Sequence, residues 1–382
     1  MEVFEKYQSI FTHILVNISF FNTYIDPSAN ERVKSVLDST FISEGKVVKE
    51  FEDQLSDKLG LKNPVALNSG TTALHLALVL ANIGEGDEVI CPAQTFVATA
   101  LVVVQQKTTP VFVDIQYNTG NIDAKAIEAK ITEKTKAIMA VHWGGYPCDM
   151  DAIAAIAKKY KLVVIEDAAH APGAIYKEKP IGSISDYTCF SFQAIKHITT
   201  GDGGALCCNS SEKSNEALTR RWFGIDRTNA KSSILGERIY DIEKLGFKYH
   251  LNDYAAALGL ANLHSFNIRL ERIRQIAQRY DAALSKVNGL QIFARDPNYK
   301  SAFWLYGMHV QERVKFIQAM ISRKVPVSVV HLRIDHNSIF GGLRHNLPNQ
   351  KLFNETQIHI PIHYGLGDKM VEHIIESVKK GW

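Results

Sequence analysis

Between residues 64 and 210 short apolar runs alternate with helical segments, and few folds accommodate that rhythm. Pro64-Val65-Ala66-Leu67, Glu88-Val89-Ile90-Cys91, Val111-Phe112-Val113, Ala137-Ile138-Met139-Ala140-Val141 and Leu162-Val163-Val164-Ile165 are apolar over nearly their whole length. Strands with one wet face alternate polar with apolar residues; these do not, so burial on both faces is expected. Residues 71–80, 95–105 and 150–160 read as helices. The expected fold class is α/β, a large unit with a mostly parallel mixed sheet covered by helices. An amphipathic stretch at 263–284 leads into a different rhythm, read as a smaller C-terminal α+β unit. The expected division is 1–22 for an N-terminal extension, 23–265 for the large unit and 266–382 for the small one.

At 382 residues, with 46% apolar and 22% charged, the chain can bury a sizeable core. The net charge of +3, from nearly balanced signs, gives no electrostatic argument for nucleic acid. No apolar run approaches the length of about 18 residues that a membrane helix needs. The apolar run at 10–21 follows Glu2 and Glu5 rather than a basic flank and lacks an Ala-x-Ala site, so a packing arm or extension is expected there. Cys91, Cys148, Cys189, Cys207 and Cys208 show neither a CxxC nor a metal-ligand spacing. No metal is expected, and scattered thiols suit a cytoplasmic location.

Sheets of this kind bind ligands at the carboxyl ends of their strands, where the chemistry-bearing residues fall. Glu166-Asp167-Ala168-Ala169-His170 follows one strand; Cys189-Phe190-Ser191-Phe192 leads to Lys196, just ahead of Gly201-Asp202-Gly203-Gly204. That pairing suits pyridoxal phosphate (PLP): an amine condenses with the cofactor aldehyde, and a carboxylate keeps the pyridine nitrogen protonated. At Asn68-Ser69-Gly70-Thr71-Thr72 a strand ends and a helix opens, and its free N–H groups and dipole suit a phosphate. An ordinary capped helix uses the same residue types. Phe96, one βα unit later, suits stacking on a flat heterocycle, or a place in the core. Ser191 offers a hydroxyl, and His170 either turns to the same ring or serves as a structural histidine. Each has a plain structural explanation; their order on successive elements points to a cofactor site.

These motifs, with Ser43-Glu44-Gly45, Pro92-Ala93-Gln94-Thr95-Phe96 and Val141-His142-Trp143-Gly144-Gly145, resemble the DegT/StrS-type family of PLP-dependent nucleotide-sugar aminotransferases, of the aspartate aminotransferase fold (fold type I). The resemblance runs from residue 23 to residue 382. It implies Lys196 as the catalytic, Schiff-base lysine and Asp167 on the pyridine nitrogen. It implies Phe96 on the ring, Gly70, Thr71 and Ser191 at the phosphate, and His170, in a place often held by Gln, near the ring hydroxyl. It also implies a homodimer whose active sites are shared between subunits. The segment that reaches across reads Gly-Tyr-Asn-Tyr-Arg in many members and Gly246-Phe247-Lys248-Tyr249-His250 here. Lys248 thus stands where an Asn often meets the partner's phosphate, and it can contact an anion as a point charge. Trp143, Arg221, His331 and Arg333 are the candidate substrate contacts, although Arg221 and Arg333 are more readily read as surface or structural arginines.

The implied reaction is ping-pong transamination, from an amino acid, by family expectation glutamate, to a keto-deoxy nucleotide sugar, with pyridoxamine phosphate as the cofactor's intermediate form. The segments around Lys248 and His331 resemble the branch acting at C4 of 4-keto-6-deoxy hexoses; amination at C3 is the alternative. Related sugar 3-dehydratases carry His in place of the lysine, whereas here Lys196 is retained and His197 merely follows it. A non-catalytic regulatory protein of this fold has no need of Asp167 or Lys196. A desulfurating enzyme needs a cysteine in a mobile Gly-rich loop.

Overall fold

The computed structural model describes residues 18–227 and 230–382, so most of the expected N-terminal arm lies outside the described residues. The strands are β1 Pro64–Leu67, β2 Glu88–Pro92, β3 Thr109–Val113, β4 Thr135–Val141, β5 Val163–Asp167, β6 Tyr187–Ser191 and β7 Gly204–Cys208. They form one sheet in the order β1-β7-β6-β5-β4-β2-β3. All neighbours from β6 to β3 are parallel, and β7 runs antiparallel to both β6 and β1. Leu67 and Ser191 both lie opposite Gly204. The ends of β1 and β6 and the start of β7 therefore share one edge of the sheet.

Helices α1 Ala29–Ser39, α2 Lys46–Leu59, α3 Gly70–Leu80, α4 Ala98–Gln105, α5 Met150–Tyr160, α6 Ser211–Arg220, α7 Asp253–His264 and α8 Phe266–Leu284 accompany the sheet. Every residue of α3 from Ala73 to Leu78 is buried, as expected of a helix apolar all round. Two elements differ from expectation. The helix expected from residue 95 starts at Ala98, because the Thr95 and Thr99 hydroxyls bond each other at 2.6 Å, which leaves Phe96 on a turn. The stretch 263–284 is two helices broken at Ser265, whose hydroxyl donates to Tyr24 at 3.1 Å and accepts from Arg269 Nε at 3.3 Å.

Downstream, β8 Leu290–Ile292, β9 Tyr306–Val310 and β10 Gln357–Ile360 form a small antiparallel sheet in that order. It packs with α8, α9 Arg313–Ser322 and α10 Asp368–Lys379 around the fully buried Tyr280, Met308, Phe316 and Ile374. Ile18 joins this core, and Phe21 stacks on Trp304 with ring centroids 5.3 Å apart. Among the described residues, no helix is long and apolar enough to cross a membrane.

Tight packing beneath the segment joining β6 to β7 sets the position of Lys196. Phe51 of α2 meets Phe192 edge-on at 5.4 Å, and Gly259 of α7 closes on both Phe51 and Thr200. A Cβ on Gly259 would fall 2.7 Å from Thr200 Cγ2 and 2.8 Å from Phe51 Cε2, well inside contact distance. Interiors at crystal-like density yield little to such an intrusion. Gly259→Ala should therefore lower unfolding free energy by about 1–3 kcal/mol, read as a lower guanidinium midpoint. An unchanged midpoint would mean that the segment gives way freely.

Candidate active site

The carboxyl ends of β1, β2, β4, β5 and β6 converge on a cavity of about 330 Å³. Its lining includes Gly70, Thr71, Phe96, Asp167, His170, Ser191, Lys196 and His331. Parallel strands in register produce this convergence: Asp167 ends β5 directly opposite Cys189, two residues before Ser191 ends β6. Lys196 follows in the turn, where its N–H donates to the Gln193 carbonyl at 2.9 Å.

Asp167 is buried and aims its carboxylate across the cavity floor. Oδ2 accepts from the Thr99 hydroxyl at 2.7 Å, and Oδ1 accepts from the Ala169 N–H at 3.2 Å. Burial raises its carboxyl above the ordinary value, against the opposing pull of those two donors and of Lys196. The Lys196 ammonium is pushed down to about 7 by burial, with Asp167 acting the other way. Nζ lies 3.6 Å from the centroid of the Trp304 ring. An amine so placed divides between its two protonation states near neutral pH.

The phosphate-like corner is made of backbone. Ser69 caps α3 by accepting from Thr72 N–H at 3.0 Å, and the N–H groups of Gly70 and Thr71 open the helix without intrahelical acceptors. A Cβ on Gly70 would lie 2.9 Å from Ser191 Cβ, so only glycine lets this turn come so close to the end of β6. Phe96 is 53% exposed, with its ring on the cavity wall 5.3 Å from that of His331. Opposite, His170 is buried and stacked on Trp304 at 3.8 Å, and its Nδ1 has no partner among the described residues. Burial holds the His170 imidazole well below the usual range, and Lys196 adds to this, so it is neutral. A backbone anion site, a buried carboxylate, an amine, an exposed aromatic face and an orphaned imidazole nitrogen together suit a phosphorylated pyridine.

Of the expected substrate contacts, His331 reaches the cavity. Gln94 and Gln357 both donate to its carbonyl, at 2.9 and 3.0 Å, and Gln350 donates to Gln94 at 2.9 Å. Burial brings the His331 imidazole down to about 4. The other expected contacts lie elsewhere. Trp143 is buried behind the wall, edge-on to His170 at 5.6 Å. Arg221 is buried and committed to Glu52 at 2.5 Å, Glu44 at 2.8 Å and the Ala66 carbonyl. Arg333 is buried in a two-pronged pair with Asp335 at 2.7 and 2.6 Å. Guanidinium groups engaged by internal carboxylates have little left to offer a substrate phosphate, so this geometry favours the structural reading of both arginines. Lys248 is exposed, beside Asn68, whose side-chain amide donates to the Lys248 carbonyl at 3.2 Å; it does not line its own chain's cavity.

Thr99 and Trp304 stand in no functional motif of the sequence, and Gln94 and Thr95 stand there only within the motif that ends at Phe96. The Thr95/Thr99 spacing of four is a usable sign, since it brings the two hydroxyls within 2.6 Å where the chain turns into α4. Nothing local marked Trp304, which arrives from a segment more than a hundred residues downstream of the lysine.

Comparison with known proteins gives the family. The model of the DegT/DnrJ/EryC1/StrS aminotransferase family matches residues 23–379. The GDP-perosamine synthase of Caulobacter vibrioides is 33% identical over 379 residues, covering 95% of this chain and 98% of that one. The sugar aminotransferase CalS13 from Micromonospora echinospora has a TM-score of 0.91 at 32% identity, with 96% of this chain and 100% of that one covered. Spr1654 from Streptococcus pneumoniae, solved in a PLP and a PMP form, has a TM-score of 0.88 at 31% identity; in the PLP form 95% of this chain and 98% of that one are covered. With a fold and a sequence that match over nearly the whole chain, this protein belongs to the DegT/DnrJ/EryC1/StrS family of sugar aminotransferases.

Proposed function

We propose that this chain uses PLP to move an amino group from glutamate to C4 of a 4-keto-6-deoxy nucleotide sugar. The observation that carries the reading is the meeting of Lys196, Asp167 and the N-terminus of α3 on one cavity. In this assignment the Gly70 and Thr71 N–H groups and the Ser191 hydroxyl hold the phosphate. Asp167 would pair with the pyridine nitrogen, Phe96 would face the ring, His170 would serve the ring hydroxyl and Lys196 would be the amine that holds the aldehyde. When bound, PLP supplies an aldehyde that takes over the amino group and a ring that absorbs the electron pair released at the donor carbon.

The residues do the rest. Lys196, with its ammonium brought to about 7 by burial, would take a proton from the donor Cα as the free amine and, as the ammonium, would deliver it to the cofactor's C4′. Thr99 and the Ala169 N–H favour the charged form of Asp167, the form that a pyridinium needs opposite it. His331, held through its carbonyl by Gln94 and Gln357, presents a neutral imidazole to the sugar. The likeness to a GDP-perosamine synthase supports a nucleotide-linked acceptor. Support for C4 comes from the Lys248 and His331 segments; C3 amination is the competing outcome of the assay below.

Dehydration is disfavoured by His197, which is buried and bonds the Ala302 carbonyl at 2.8 Å instead of taking the place of Lys196. Desulfuration is disfavoured by Cys189: it lies within β6, and burial pushes its thiol well above the ordinary range. A homodimer with shared sites is supported by the exposed Phe41, Ile234, Leu235 and Leu245, and by Lys248, which is free to reach a partner's phosphate. The buried free thiols accord with a cytoplasmic setting.

Three outcomes follow. The PLP-loaded enzyme, given glutamate and a panel of 3-keto and 4-keto nucleotide sugars, should aminate the 4-keto compounds, with product position read by NMR; amination of simple 2-oxo acids alone would sink the sugar assignment. Lys196→Ala should abolish the visible band of the lysine-bound cofactor and slow transfer by about 10²–10⁴-fold. An undiminished band would remove Lys196 from its role. Lys196→Ala and Lys248→Glu chains, each impaired alone, should regain activity when mixed, because one site of the mixed dimer is then wild type; no recovery from exchanged dimers would argue against shared sites.

A further inference from the structure

Trp304 reaches the cavity from the segment between β8 and β9 and touches the lysine in two ways. Lys196 Nζ lies 3.6 Å from the Trp304 ring centroid. The indole N–H donates at 3.1 Å to the carbonyl of Ile195, the residue just before the lysine. The ring is itself held: His170 stacks on it at 3.8 Å with 12° between planes, Phe21 lies near-parallel at 5.3 Å, and the residue is buried. An immobilised indole presents a face of negative potential, and an ammonium within about 6 Å of it is attracted.

The other groups around Lys196 decide how much that face matters. Asp167, from β5, is the anion that favours the ammonium. His170 after β5, His331 from the C-terminal part and His197 on the lysine's own turn are kept neutral by burial. Asp202 lines the same cavity from the Gly-rich turn. In the proposed function Asp167 would be taken up by the pyridine nitrogen, and the indole face, 3.6 Å away, would still favour the protonated lysine.

We infer that Trp304 is a positioning residue for transamination: its indole face is the resting place of the Lys196 amine whenever that amine is free, and its N–H pins the turn that carries the lysine. A lysine released from the aldehyde has a long flexible side chain, and proton transfer needs its nitrogen to stay within reach of the donor Cα. The ring supplies that restraint without a charge or an acceptor that would compete for the proton. The inference rests on Lys196 being the reactive amine of the proposed function.

Fluorinated tryptophans test it, because each added fluorine weakens the negative face while size and the N–H are largely kept. Mono-, di- and trifluorotryptophan are placed at residue 304 alone, in the cofactor-free full chain. The pH midpoint of Lys196 is read by competitive acylation and mass spectrometry of its peptide. The expected midpoint is about 7 without fluorine. It should fall stepwise by about one pH unit in all across the series. A midpoint that stays flat would overturn the role of Trp304 while leaving the catalytic lysine intact. A midpoint near the ordinary 10.5 in the unsubstituted chain would instead count against Lys196 as the reactive amine, and so against the proposed function. The same series at Trp222, whose ring faces Arg227 at 4.7 Å, should leave the midpoint unmoved. An equal fall there would also overturn the inference, by showing that the change is not local to Trp304.

Discussion

An amine and a carboxylate placed at one low-dielectric strand edge are the constraint on which the rest of this structure depends. Burial drives Lys196 toward the neutral amine and Asp167 toward the neutral acid, and each opposes the other's shift. Neither is left bare. The carboxylate has Thr99 and the Ala169 N–H, and the amine has the indole of Trp304. Only a sheet whose strands end together brings groups this far apart in sequence to one cavity. The register of β5 against β6 and of β7 against both β6 and β1 does this.

Strand alternation divides neighbouring acids between chemistry and scaffold. Asp167 faces the cavity, whereas Glu166, one residue earlier, points to the opposite face of the sheet. There it meets His142 Nε2 at 2.7 Å and the Thr188 hydroxyl at 2.9 Å, while His142 Nδ1 accepts from the Cys148 N–H at 3.0 Å. All of these groups are buried, and each has partners on adjoining strands or the following loop. Arg221 with Glu52 and Glu44, and Arg333 with Asp335, serve the same end elsewhere. Removing one member of such a pair leaves an uncompensated buried charge, which is why these residues brace the frame.

The cofactor corner was more legible than the substrate corner, for a physical reason. Gly70, Thr71, Phe96, Asp167, Ser191 and Lys196 each sit within a few residues of a strand end, and strand ends can be read from local hydrophobic runs. Periodicity also anticipated the buried strands, but it misplaced the start of α4, where the Thr95–Thr99 hydroxyl pair overrides the helical pattern. It likewise missed the break at Ser265, made by Tyr24 and Arg269, which no periodicity reports. The arginines were harder still: in sequence, a guanidinium bound for an internal carboxylate looks the same as one bound for a phosphate.

By itself the sequence determined the α/β class, the order of the strands along the chain and the residue types at their ends, because hydrophobic period and turn chemistry are local properties. It also carried the family resemblance. The tertiary structure alone decided which of those residues share a cavity. It set His170 flat against Trp304, held His331 by its carbonyl between Gln94 and Gln357, and withdrew Arg221 and Arg333 into the interior. Those outcomes depend on which distant segment packs on which, and burial and charge pairing acquire their values only once that packing exists.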